Sequence, residues 1–154
     1  MAKEASECSF EIQKLVQEIS TEMGLEQMIK FKTLNVTNAK KVVEIKMSNI
    51  ITKALTDKEV FVLVYEDAFD LVGDDVKYMW LRVALNAVSY DSEKEKINIE
   101  SDNVKNLIEM YRKYGKTVID NVELANLTIV QIQEQEKARK AEEKANKKSK
   151  KKKF

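Results

Sequence analysis

A length of 154 residues, 44% of them hydrophobic, suffices for one domain around a single core. The chain has no His, which removes the His general base, the Ser–His and Cys–His pairs and imidazole metal ligation, and its one cysteine, Cys8, excludes an internal disulfide or a Cys-rich zinc site. The formal net charge of +1 conceals an asymmetry: Lys137 to Phe154 hold ten Lys or Arg and two Glu, a balance of +8, so the preceding 136 residues carry −7.

Pro is absent and Gly occurs three times, so few breaks are enforced, long helices are favoured and an all-β sandwich is disfavoured. No apolar run approaches the ~18 residues of a membrane span. Met1 to Glu7 lacks the apolar centre of a signal peptide. The expectation is a cytoplasmic protein with no membrane partner. The lone thiol fits a reducing compartment, and ordinary packing is the expected role of Cys8.

In chain order, Phe10, Ile12, Leu15, Val16, Ile19 and Met23 recur at helical spacing, with Gly24 as the stop. Leu25 to Lys32 reads as a second short helical piece. Thr33 onward reads as a loop, a short strand within Lys40 to Lys46, then a helix carrying Met47, Ile50, Ile51 and Leu55. Val60 to Tyr65 is the clearest strand, a continuous β-branched and aromatic run suited to burial on both faces. Glu66 to Val72 reads as one or two helical turns ended by Gly73, and Asp74 and Asp75 supply the next N-cap and acidic first turn.

The helix expected over Val76 to Ser89 has one stripe of Val76, Met79, Trp80, Val83, Ala84 and Ala87 and another of Leu81, Leu85 and Val88. So wide an apolar arc predicts a helix buried in the middle of the fold. Tyr90 to Lys96 reads as a polar turn, and Ile97 to Ile99 as a short edge strand. Ser101 or Asp102 can cap a helix running to Tyr114, stopped by Gly115. The last helix starts near Thr117, and Val118, Val122, Ala125, Ile129 and Ile132 hold its apolar face. Beyond Ile132 the apolar pattern stops.

Few constellations carry chemistry. Glu66, Asp67 and Asp70 could hold a cation through oxygen ligands, but their spacing matches no Ca²⁺ loop, and a solvated acidic face is the favoured reading. The three glycines are too far apart for a phosphate-binding loop. Tyr111, Arg112, Lys113 and Tyr114 interleave aromatics with cations, an arrangement that can stack bases and grip phosphates, although one or both tyrosines could be core. The strongest candidate is the run containing Lys144, Lys147, Lys148, Lys150, Lys151, Lys152 and Lys153. It can neutralise several phosphates with salt-dependent, sequence-independent affinity, or serve only as a solubilising extension or as a segment that masks itself against the acidic body. Carboxylate-only catalysis is the one enzyme reading left, and no catalytic residue, metal ligand or cofactor is assigned.

From Ala54 to about Ile129 the order of features resembles the phage metallopeptidase family, which is zincin-like. The likeness runs through VFVLVYEDAF, MWLRVALNAVSYD and EKEKINIESDNVKNLIEMYRKYG. It implies a strand, then a helix bearing H-E-x-x-H, an acidic turn, and a third His leading into a helix that ends like Tyr114-Gly115. In this chain Val83, Ala84 and Ala87 fall in the slots of that motif and Asp102 falls near the third ligand. Val and Ala offer no lone pair to a metal, so the resemblance implies a relative whose site has been filled with core.

The resulting expectation is an α+β, helix-dominated single domain with a small sheet and a buried central helix. Residues 1–136 form the globular part, and residues 137–154 form a basic tail, helical at its start and then disordered. Its expected role is that of a phage-type accessory protein without enzymatic activity, made in the host cytoplasm. It would engage nucleic acid, or a complex associated with nucleic acid, through the tail. The alternatives are a module that inhibits or modulates a host protein, and a self-assembling structural component.

Overall fold

The computed structural model describes residues 4–99 and 104–152. Its elements are β1 (Ala5–Glu7), α1 (Phe10–Glu22), β2 (Phe31–Val36), β3 (Val43–Met47), α2 (Ile50–Thr56), β4 (Val60–Val64), α3 (Glu66–Phe69), α4 (Asp74–Leu85), β5 (Val88–Asp91), β6 (Lys96–Ile99), α5 (Val104–Tyr114) and α6 (Lys116–Lys152). The fold is α+β and dominated by helix, as the composition implies.

The main sheet has the order β1-β2-β4-β3. Its centre is β4, paired parallel to β2 (Thr33 opposite Val62) and antiparallel to β3 (Ile45 opposite Val62). Val60, Val62 and Val64 are fully buried, which explains why this segment is continuously apolar. The second sheet is a hairpin in which Val88 faces Ile99 and Asp91 faces Lys96.

The apolar spacing of α1 buries Ile12, Val16 and Ile19. The helix ends where Gly24 adopts φ +71, and the Leu25 N–H then donates to the Ser20 carbonyl at 2.9 Å. In α4 the residues Met79, Trp80, Leu81 and Leu85 are buried, as the wide apolar arc predicts. Trp80 meets Phe69 edge-to-face with ring centroids 5.3 Å apart. Its indole Nε1–H donates to the Asn121 carbonyl at 2.9 Å, which ties α4 to α6. Buried Val118, Ile129 and Ile132 complete the attachment of α6.

Several local expectations are corrected. Phe31–Val36 is a strand, where a helical piece and a loop were expected. Its polar residues Lys32, Thr33 and Asn35 mask the alternation, and the sheet decides the outcome by placing it beside β4. The central helix stops at Leu85, and Val88 to Asp91 is strand, because β-branched Val88 and Tyr90 find partners in β6. Gly73 has an ordinary negative φ and sits at the N-cap of α4, so it acts as a helix start and not as a left-handed stop. The proposed caps Ser101 and Asp102 lie outside the described residues.

The largest difference concerns the tail. Helix α6 continues through Lys152, where disorder was expected before that point. Like-charged Lys pairs at i,i+4 each cost only about 0.2–0.5 kcal/mol. Against that, Ala, Lys, Arg and Glu are the best helix formers, and the packed first half of α6 has already met the cost of nucleation. Arg139 Nε and Glu143 Oε1 stand 4.0 Å apart, and the lysines near the last turns complement the helix dipole.

Candidate functional site

The tail is positioned entirely by α6. Between Lys116 and Ile132 the helix buries one face: Val118, Asn121, Thr128, Ile129 and Ile132. The polar members of that face are satisfied locally. Asn121 Nδ2 donates to the Thr117 carbonyl, and Thr128 Oγ1 to the Leu124 carbonyl, each at 2.7 Å. From Gln133 to Lys151 every residue is exposed except half-buried Glu136. The helix therefore leaves the body as a single rod about 30 Å long.

Lys144, Lys147, Lys148, Lys150 and Lys151 are exposed on this rod and Lys152 belongs to its last turn, whereas Lys153 lies outside the described residues. Residues 137–152 hold nine Lys or Arg and two Glu, a local charge of +7. The helix adds Lys137 and Lys140, which sequence reading had not separated from the background. With 3.6 residues per turn, Lys137, Lys140, Lys144, Lys147, Lys148 and Lys151 fall within an arc of about 100°. Ala138, Ala141, Ala145 and Ser149 run beside this row.

The aromatic–basic motif does not form one platform. Tyr111, Arg112 and Lys113 are exposed at the end of α5, but Tyr114 turns inward against Met79, Met110 and Val118. The Tyr114 hydroxyl lies 3.3 Å from Arg82 Nε, and the Arg82 guanidinium holds this phenol below its ordinary value of 10.0. Lys113 Nζ sits 5.4 Å from the centre of the Tyr114 ring. Arg82 is only 9% exposed, and among the described residues its Nη1 has no hydrogen-bond partner.

Val83, Ala84 and Ala87, expected to be core, are half-buried instead. They line a cleft of about 380 Å³ with Val43, Trp80 and Val122, between β3, α4 and α6. Ala87 lies beyond the end of α4, so the three do not share one helix. Asp102 is outside the described residues. Among the described residues no group of three His, Cys, Asp or Glu side chains could hold a metal ion.

Glu66 has a structural role. Its Oε1 accepts from the Ser9 N–H at 2.8 Å and faces Cys8 Sγ at 3.3 Å, pinning the start of α1 to α3. Partial burial acts to raise its pKa, but these hydrogen bonds outweigh it and hold the carboxyl below its ordinary 4.5. Burial, reinforced by the hydrogen bond to Glu66, pushes the Cys8 thiol up to about 12, which keeps it protonated and unreactive. Among the described residues no helix is long and apolar enough to cross a membrane.

Nothing matches the chain in comparisons with protein-family models, with curated proteins and with solved structures.

Proposed function

We propose that the protein is a non-enzymatic accessory binding protein, of phage type by its resemblance, that engages nucleic acid or a complex built on it through the C-terminal half of α6. The observation that carries this reading is the exposed helix with a charge of +7 over residues 137–152, attached to a body of −7. A phosphate backbone complements the helix, and the acidic body restricts contact to it. The test compares the full chain with one ending at Glu136, on DNA and RNA, single- and double-stranded, at two salt concentrations. Binding with a steep salt dependence in the full chain alone supports the reading. Equal binding by both chains removes it.

A second reading is a protein-interaction module, directed at a host protein or at further copies of the chain. It is favoured by Met47, Ile50, Ile51 and Leu55, which are 50%, 89%, 71% and 81% exposed on β3 and α2. Self-association through this patch requires a mass that rises with concentration in light scattering and a fixed monomer mass after Ile51→Asp with Leu55→Asp.

A further inference from the structure

We infer that the exposed half of α6 is a rigid docking face for duplex nucleic acid, with Lys137, Lys140, Lys144, Lys147, Lys148 and Lys151 forming one row of phosphate contacts. This rests on the nucleic-acid reading above and narrows it to double strands and to a folded helix. A disordered polycation with the same composition would lack both the row and the preference.

Three features select the duplex. First, the row is straight and spans about 21 Å from Lys137 to Lys151, so a partner must present phosphates at fixed positions over that distance. A duplex does so, whereas a single strand must be ordered to match. Second, the rod from Gln133 to Lys152 contains no aromatic residue, so it lacks the stacking platforms on which single-strand binding depends. Third, along one edge of the row run Ala138, Ala141, Ala145 and Ser149, small enough for the helix backbone to approach a groove closely on that side, while Glu143 stands on the opposite edge.

An anionic membrane fits the charge but not the rest of the helix. An interfacial helix needs large apolar residues opposite its basic face, and from Gln133 to Lys152 the only apolar side chains are alanines. The lysines act as point charges without a fixed fork, so the contact is with backbone phosphates and carries little base preference.

The experiment uses the full chain on a short duplex and on each of its strands, with salt varied from about 50 to about 200 mM. Six phosphate contacts predict a slope of log affinity against log salt near −5, and a loss of about 10³-fold across that range. The decisive variant moves three lysines to the far side of the helix: Lys140→Gln with Gln135→Lys, Lys144→Asn with Asn146→Lys, and Lys147→Ser with Ser149→Lys. Composition and net charge are unchanged, but three lysines leave the row. The slope should fall to about −3 and duplex affinity by at least about tenfold. A second variant, Ala141→Pro with Ala145→Pro, breaks the helix at constant charge and should abolish the preference for duplex over single strand.

All these changes lie on the exposed rod, and an unaltered thermal transition of the body confirms that the fold is intact. An unchanged slope after the exchange, equal affinity for single strands, or tighter binding to phosphatidylserine vesicles overturns the inference. Those results leave the tail essential to binding. If the chain ending at Glu136 binds nucleic acid as well as the full chain, the broader reading fails first.

Discussion

The two halves of α6 are continuous in backbone and opposite in what sustains them. From Lys116 to Ile132 the helix is held by burial: Val118, Ile129 and Ile132 face the core, and the Trp80 indole closes on the Asn121 carbonyl. From Gln133 to Lys151 every residue but half-buried Glu136 is exposed, and intrinsic propensity with propagation from the packed half sustains the helix. Packing and displayed charge are therefore separable along one helix. The first half can be damaged only at the expense of the fold. The second can be altered freely, and what changes is the charged surface that it displays.

A cavity in the packed half should have the largest effect. Ile129→Ala should cost about 2–4 kcal/mol in denaturant unfolding, since Ile129 is buried between α6 and the body. A loss below about 0.5 kcal/mol would mean that α6 is not docked as described. Trp80→Phe should cost about 1–2 kcal/mol, because it removes the indole donor and some volume while keeping an aromatic against Phe69.

Glu66→Ala should cost about 1–2 kcal/mol by freeing the start of α1. The pH dependence gives this prediction a sign. The folded pKa of Glu66 is lowered from 4.5, so its contribution is present above that value and is lost as pH falls through the lowered folded value. The gap in stability between the parent and Glu66→Ala should therefore shrink as pH falls below the ordinary 4.5. In the folded chain Cys8 should resist a thiol reagent at pH 8, and it should react fully once the protein is denatured; fast native labelling would contradict its burial against Glu66.

The smallest effects belong to the exposed half. Glu143→Ala removes the partner of Arg139 and should change stability by less than about 0.5 kcal/mol. Ending the chain at Glu136 should leave the thermal transition of the body nearly unchanged while nucleic-acid binding is lost. A large fall in Tm on that truncation would join the two halves energetically and undo the contrast.

Much of this was legible in the residues. The apolar runs fixed α1, β4, the core of α4 and the packed face of α6, because burial of Ile12, Val62, Leu81 or Ile129 demands apolar side chains at the period of each element. The charge border near Glu136 marked where packing ends. The sequence also located the lysines, but as a count and not as a surface.

The tertiary structure decided what local patterns leave open. Pairing with β4 made Phe31–Val36 a strand despite its polar residues, and pairing with β6 ended the central helix early, since hydrogen bonds between strands are settled by neighbours distant in the chain. The half-buried positions of Val83, Ala84 and Ala87, and the inward turn of Tyr114 toward Arg82, follow from how α4, α5 and α6 meet. Continuation of α6 through Lys152 turned a run of lysines into one aligned face. Composition sets how much charge a segment carries. Only the helix, anchored at its first half by packing, sets where that charge points.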